Sequence, residues 1–155
     1  GSYAPFFSLP NAKGENITRT SSNLANKNIL INFWASWNDP TTLKQNNNAI
    51  KSVYKEYKNN KHFAILGISL DIDKKQWKDA IKRDSLNWEQ VCDFGGLNSE
   101  IVKQYDVQRV PSSILISPSG TILARNIQDN DLKSVVKKAI DESVEIEKLN
   151  KTNKK

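Results

Sequence analysis

Cysteine is nearly missing from this sequence: its 155 residues contain one, Cys92. A single thiol excludes an intramolecular disulfide, a two-cysteine redox centre and a cysteine-based structural zinc site. It leaves the compartment open, because a chain without disulfides suits a reducing cytosol and an oxidising periplasm alike. Histidine is as scarce, with His62 alone. One His without clustered carboxylates makes a poor metal site, so neither metal nor cofactor is expected. There is no P-loop and no G-x-G-x-x-G fingerprint. Long apolar runs are absent too: the best candidates are short segments such as 63–70, against the roughly 18 residues a membrane-spanning helix requires. No membrane span is expected.

Against these gaps stand four Trp, four Tyr and five Phe, and a hydrophobic fraction of 37%. Charged residues at 26% and a mean hydropathy of -0.61 give a single packed domain with a very polar surface. The formal charge of +6 is uneven: Lys148, Lys151, Lys154 and Lys155 crowd the last eight positions, leaving 19 basic against 17 acidic residues before them. A basic tail over 150–155 reads as a disordered, solvated terminus, and nucleic acid is not an expected partner. The chain opens Gly1-Ser2 with no Met, basic stretch or apolar stretch, like a scar of tag removal. No native targeting segment is expected within it.

The pattern along the chain orders the elements. Segments 6–9 and 16–20 flank the turn-rich Pro10-Asn11-Ala12-Lys13-Gly14 and read as a hairpin. Asn28 to Trp34 (NILINFW) is a nearly continuous apolar run, the mark of a strand covered on both faces. Asp39-Pro40 then signals a helix start, and Leu43, Ile50, Val53, Tyr54 and Tyr57 keep helical spacing to about Asn59. A strand over 62–70 follows, then Asp71 and Asp73 opening a helix that buries Trp77, Ala80 and Ile81. Together these make a βαβ unit, whose two strands lie parallel. Beyond it come a short strand at 88–92, a short helix at 98–105 and strands at 112–117 and 121–127 joined by Pro118-Ser119-Gly120. A last helix over 129–149 buries Leu132, Val135, Val136, Ala139, Ile140 and Ile146. This order predicts an α/β fold, a central mixed sheet with helices on both faces and an N-terminal β-hairpin extension.

Phe33-Trp34-Ala35-Ser36-Trp37 resembles the thioredoxin superfamily, in particular the TlpA/ResA-like branch of bacterial thiol-disulfide oxidoreductases grouped with the AhpC/TSA domains. The branch signature is F-W-A-x-W-C-x-x-C. The resemblance covers nearly the whole chain, including Ala4-Pro5-Phe6, Gly67-Ile68-Ser69-Leu70-Asp71 and Val110-Pro111, which falls where the family has its cis-proline. It implies a thioredoxin fold and, since the branch is mostly exported and membrane-tethered, an extracytoplasmic location. The two cysteine positions depart from the signature: Asn38 and Thr41 stand there, so the CxxC motif is replaced.

Those positions decide the chemistry. The family's first cysteine sits at a helix N-terminus, where unpaired N–H groups lower the thiol pKa. Its thiolate attacks a disulfide and the second cysteine resolves the mixed disulfide. An Asn carboxamide supplies no such nucleophile. Thr41 would need a positioned base, but the intervening helix, about 30 Å long, puts His62 near its far end. Asn38, Asp39 and Thr41 therefore read as capping residues, with anion or peptide-carbonyl binding at the helix end as the alternative. Family resemblance gives a binding groove of Trp37, Asn38, Asp39, Thr41, Val110 and Pro111 for an extended peptide or protein partner, with Trp34 either lining it or in the core. Cys92 ends an apolar strand and reads as buried and inert, with Asp93 opposing its ionisation. Two readings follow: a thioredoxin-fold protein without dithiol activity that binds a partner, or a one-thiol oxidoreductase or antioxidant enzyme using Cys92.

Overall fold

A computed structural model describes residues 2–153; Gly1, read above as a scar residue, and the last two positions of the expected tail lie outside the described residues. The first two strands, β1 (Leu9–Pro10) and β2 (Asn16–Ile17), pair antiparallel. The expected hairpin is there, with shorter arms. Asn11 Oδ1 closes the turn by accepting the backbone N–H groups of Lys13 and Glu15, and β2 ends where the Thr18 N–H is taken by Ser21 Oγ at 2.9 Å instead of continuing the ladder.

β3 (Asn28–Trp34) is buried along its whole length, as an apolar run between two layers must be. Next come α1 (Pro40–Tyr57), β4 (Phe63–Ser69), α2 (Lys74–Arg83) and β5 (Glu89–Cys92). α3 (Glu100–Gln104) follows a 3-10 turn at Gly96–Asn98, so the helix expected over 98–105 is divided at Ser99. β6 (Ser112–Ile116) and β7 (Ile122–Ala124) precede α4 (Leu132–Asn153). β7 stops short of the expected Ile127; Asn126, at φ 49°, leaves the extended region and turns the chain toward α4.

The five-stranded sheet has the order β5-β4-β3-β6-β7. β3, β4 and β5 run parallel, and β6 and β7 antiparallel to their neighbours. Alternation along β3 divides the core: Leu30 and Trp34 pack with apolar residues of α1, α2 and α4, while Ile29, Ile31 and Phe33 pack with α3 and the hairpin. Helices thus cover both faces, and the expected fold class holds.

Three readings are corrected. The end of the chain is not a loose tail from 150, since α4 continues through Asn153. Ile146 is 59% exposed rather than buried, because α4 outruns the core beyond Val144 and carries salt bridges such as Glu147 to Lys61 instead of core contacts. Asp71 does not begin a helix. Asp73 is the N-cap of α2, accepting from the Gln76 N–H, while Asp71 is buried.

Candidate functional site

The turn from β3 into α1 places residues 35–41 at the carboxyl ends of the parallel strands. Helix α1 begins as its sequence dictates: Pro40 occupies the first turn, and Asp39 Oδ2 accepts the N–H and the hydroxyl of Thr42, both at 3.0 Å. Those bonds, the Thr42 N–H foremost, hold the Asp39 carboxyl below its ordinary pKa. Asp39 is thus the cap; Asn38 and Thr41 are not.

Asn38 does something else. Its side chain is almost fully buried, with Oδ1 accepting the Ala35 N–H at 2.9 Å and Nδ2 donating to the Val110 carbonyl at 3.2 Å. The Val110-Pro111 peptide bond is cis. One carboxamide therefore ties the start of α1 to the cis-proline loop, a contact a thiol could not make with both groups. Thr41, one helical turn on, is exposed. The structure brings Asn38, Val110 and Pro111 together, and places Trp37, half in solvent, on the same turn. Trp34 is core: fully buried, its Nε1–H donates to Gln90 Oε1 at 3.0 Å.

Behind the turn lies a network the sequence did not announce. Asp71 accepts the Ser36 N–H at 3.1 Å on both carboxylate oxygens and the hydroxyls of Ser36 and Ser69. A buried carboxylate is stable only with such donors, and here they come from the functional turn itself. The signal available was the Asp at the end of an apolar strand facing Ser36; the pairing needed three dimensions. Cys92 sits beneath this network, fully buried, its Sγ donating to the Asp71 carbonyl at 3.4 Å. Burial above all pushes its thiol up to about 11.

His62 lies at the far end of α1, its side chain largely buried, 3.7 Å from Glu147. Among the described residues no group of three His, Cys, Asp or Glu side chains is placed to hold a metal ion, and no helix is long and apolar enough to cross a membrane.

A βαβ unit followed by an antiparallel pair and a helix, with a cis-proline loop against the first long helix, defines a thioredoxin fold. Residues 26–122 match the family model described as thioredoxin-like, and the chain belongs to that family. Its relatives are bacterial. Thiol-disulfide oxidoreductase ResA of Bacillus subtilis (strain 168) is 28% identical over 123 residues, 79% of this chain and 64% of that protein. The chain thus spans slightly under two thirds of its length. Among solved structures, a Bacteroides thetaiotaomicron chain described as the C-terminal domain of a thiol-disulfide oxidoreductase is 59% identical, with a TM-score of 0.89 over 92% of this chain and 96% of that one. A thiol-disulfide oxidoreductase from Bacteroides fragilis NCTC 9343 is 52% identical, with a TM-score of 0.85 over 88% and 98%.

Proposed function

We propose that this protein is a thioredoxin-fold binding domain that has lost dithiol exchange and engages an extended polypeptide at the rim formed by Trp37, Asn38, Asp39, Thr41, Val110 and Pro111. The observation that carries the reading is the Asn38 carboxamide, which occupies the position of the attacking sulfur and uses both its polar atoms to join α1 to the cis-proline loop. Dithiol exchange needs two sulfurs at this turn, and Thr41 supplies only a hydroxyl. Recognition has other means. Trp37 is 51% exposed and offers an aromatic face to a partner. By resemblance the domain works outside the cytoplasm, and residues 1–149 act as one unit.

Insulin reduction in the presence of dithiothreitol tests the redox half: the protein and its Cys92→Ala variant should give the same background turbidity. Turnover above that variant overturns the reading. A photo-crosslinker in place of Trp37 tests the other half, and capture of no polypeptide above background speaks against a binding role.

The one-thiol alternative requires Cys92 to reach solvent and ionise near neutral pH. Full burial and a thiol held near pH 11 oppose both. Ellman's reagent at pH 7 should modify native Cys92 slowly and the unfolded chain fast; fast labelling of the native protein would restore the alternative.

A further inference from the structure

The last turns of α4 leave the body of the protein. Past Val144 only Glu147 turns inward, toward Lys61 and His62, and every residue from Lys148 to Asn153 is exposed. Ile146 and Leu149, 59% and 61% exposed, stand one turn apart on one side of this overhang, on a stripe that runs from Glu142 to Asn153. A short stretch of helix without tertiary contacts is marginal in water, and packing of an apolar face is what ordinarily holds one. Charge along the overhang changes sign once. Residues 141–147 hold Asp141, Glu142, Glu145 and Glu147 and no base, and residues 148–155 hold Lys148, Lys151, Lys154 and Lys155 and no acid. The change falls midway between Ile146 and Leu149. Glu142 takes part in no ion pair among the described residues, and Glu145 reaches Lys148 only at 3.5 Å.

We propose that this face docks a second copy of the chain, the two α4 overhangs crossing antiparallel about a two-fold axis between positions 147 and 148. In that register Ile146 of each copy meets Leu149 of the other, and the acidic half of each helix lies along the basic half of its mate. A parallel pairing would set acid on acid and lysine on lysine, so the charge order selects the antiparallel one. A two-fold contact needs a self-complementary surface, which an apolar pair flanked by opposite charges supplies. An anionic lipid surface would attract the lysines but repel the acids beside the same apolar pair. The stripe covers roughly 18 Å of helix per copy, well short of a permanent interface, so monomer and dimer should exchange. Glu147 binds Lys61, beyond the far end of α1, so the pairing leaves the rim around Asn38 uncovered in both copies. It does not depend on what that rim binds.

Sedimentation equilibrium of the full chain tests it. The parent should dimerise reversibly with a Kd on the order of 100 µM at low salt. Association should weaken several-fold in about 0.5 M salt. Ile146→Ala with Leu149→Ala removes the apolar pair while keeping good helix formers, and should weaken association about tenfold or more. Two charge variants, all at exposed positions, supply a mixture test: Glu142→Lys with Glu145→Lys, and Lys148→Glu with Lys151→Glu. Each alone should stay monomeric up to roughly 1 mM, and the two mixed should pair at least as tightly as the parent. A parent that is monomeric at roughly 1 mM overturns the proposal, as do charge variants that associate like the parent. Undiminished dimers of the Ile146→Ala, Leu149→Ala protein place the contact on another face and overturn it too. So does a monomeric parent that sediments with vesicles of mixed phosphatidylglycerol and phosphatidylcholine, which assigns the face to a membrane surface.

Discussion

At position 38, where the signature resembled by this turn has its first cysteine, a carboxamide carries out a structural task. The Ala35 N–H is buried with Asn38 Oδ1 as its side-chain partner, so Asn38→Ala strands a donor and frees the Val110 carbonyl. The expected cost is about 1–3 kcal/mol, read as a lower urea midpoint with unchanged m. Gly67 has a comparable role in the sheet. A Cβ there would sit 2.1 Å from Gln90 Oε1, the atom that accepts from the Trp34 indole. Gly67→Ala should push Gln90 off that bond and destabilise the protein by about 1–3 kcal/mol in the same measurement.

On the scale of elements, α1 keeps the apparatus of a redox helix without the sulfurs. Positions 38 and 41 bracket the N-cap Asp39 and Pro40 with the C-x-x-C spacing of the signature, which brings paired thiols within bridging reach. The double variant Asn38→Cys, Thr41→Cys should form that disulfide on oxidation and reduce insulin faster than the parent. Quantifying thiols in the denatured, oxidised variant checks it, since the count should fall from three to one, with Cys92 as the remainder. An unchanged count of three would contradict the view that this turn preserves the oxidoreductase geometry. Asp39, next to the restored sulfur, limits how far the helix end can lower its pKa.

For the molecule as a whole, the two buried acids above neutral pH set its alkaline limit. Burial raises Cys92 from 9.0 to about 11, and burial raises Tyr105 from 10.0 to about 12. Both are neutral when protonated, so folding is favoured fully below their ordinary values. Stability should decline as pH climbs through 9 toward 12, because the unfolded chain releases these protons first. Each contributes roughly 3 kcal/mol across its window. Urea midpoints between pH 8 and 11 should fall for the parent, and for Cys92→Ala the decline should begin about one unit later.

Apolar runs and helix-start signals were enough to place β3, α1 and the βαβ unit, because burial on two faces and a Pro-led cap leave few other structures for those residues. The missing pair of sulfurs was equally plain, since composition alone excludes a dithiol. Short elements went less well: β7 ended early where Asn126 turned the backbone, and the second hairpin arm where Ser21 took the Thr18 N–H. α4 ran past its apolar stripe on ion pairs that no hydrophobic period records. The role of Asn38, the burial of Asp71 beneath Ser36 and the bond from Asn46 to Asp129 join residues far apart in the chain. Each depends on which polar groups folding leaves side by side away from water, and local pattern carries no information about that.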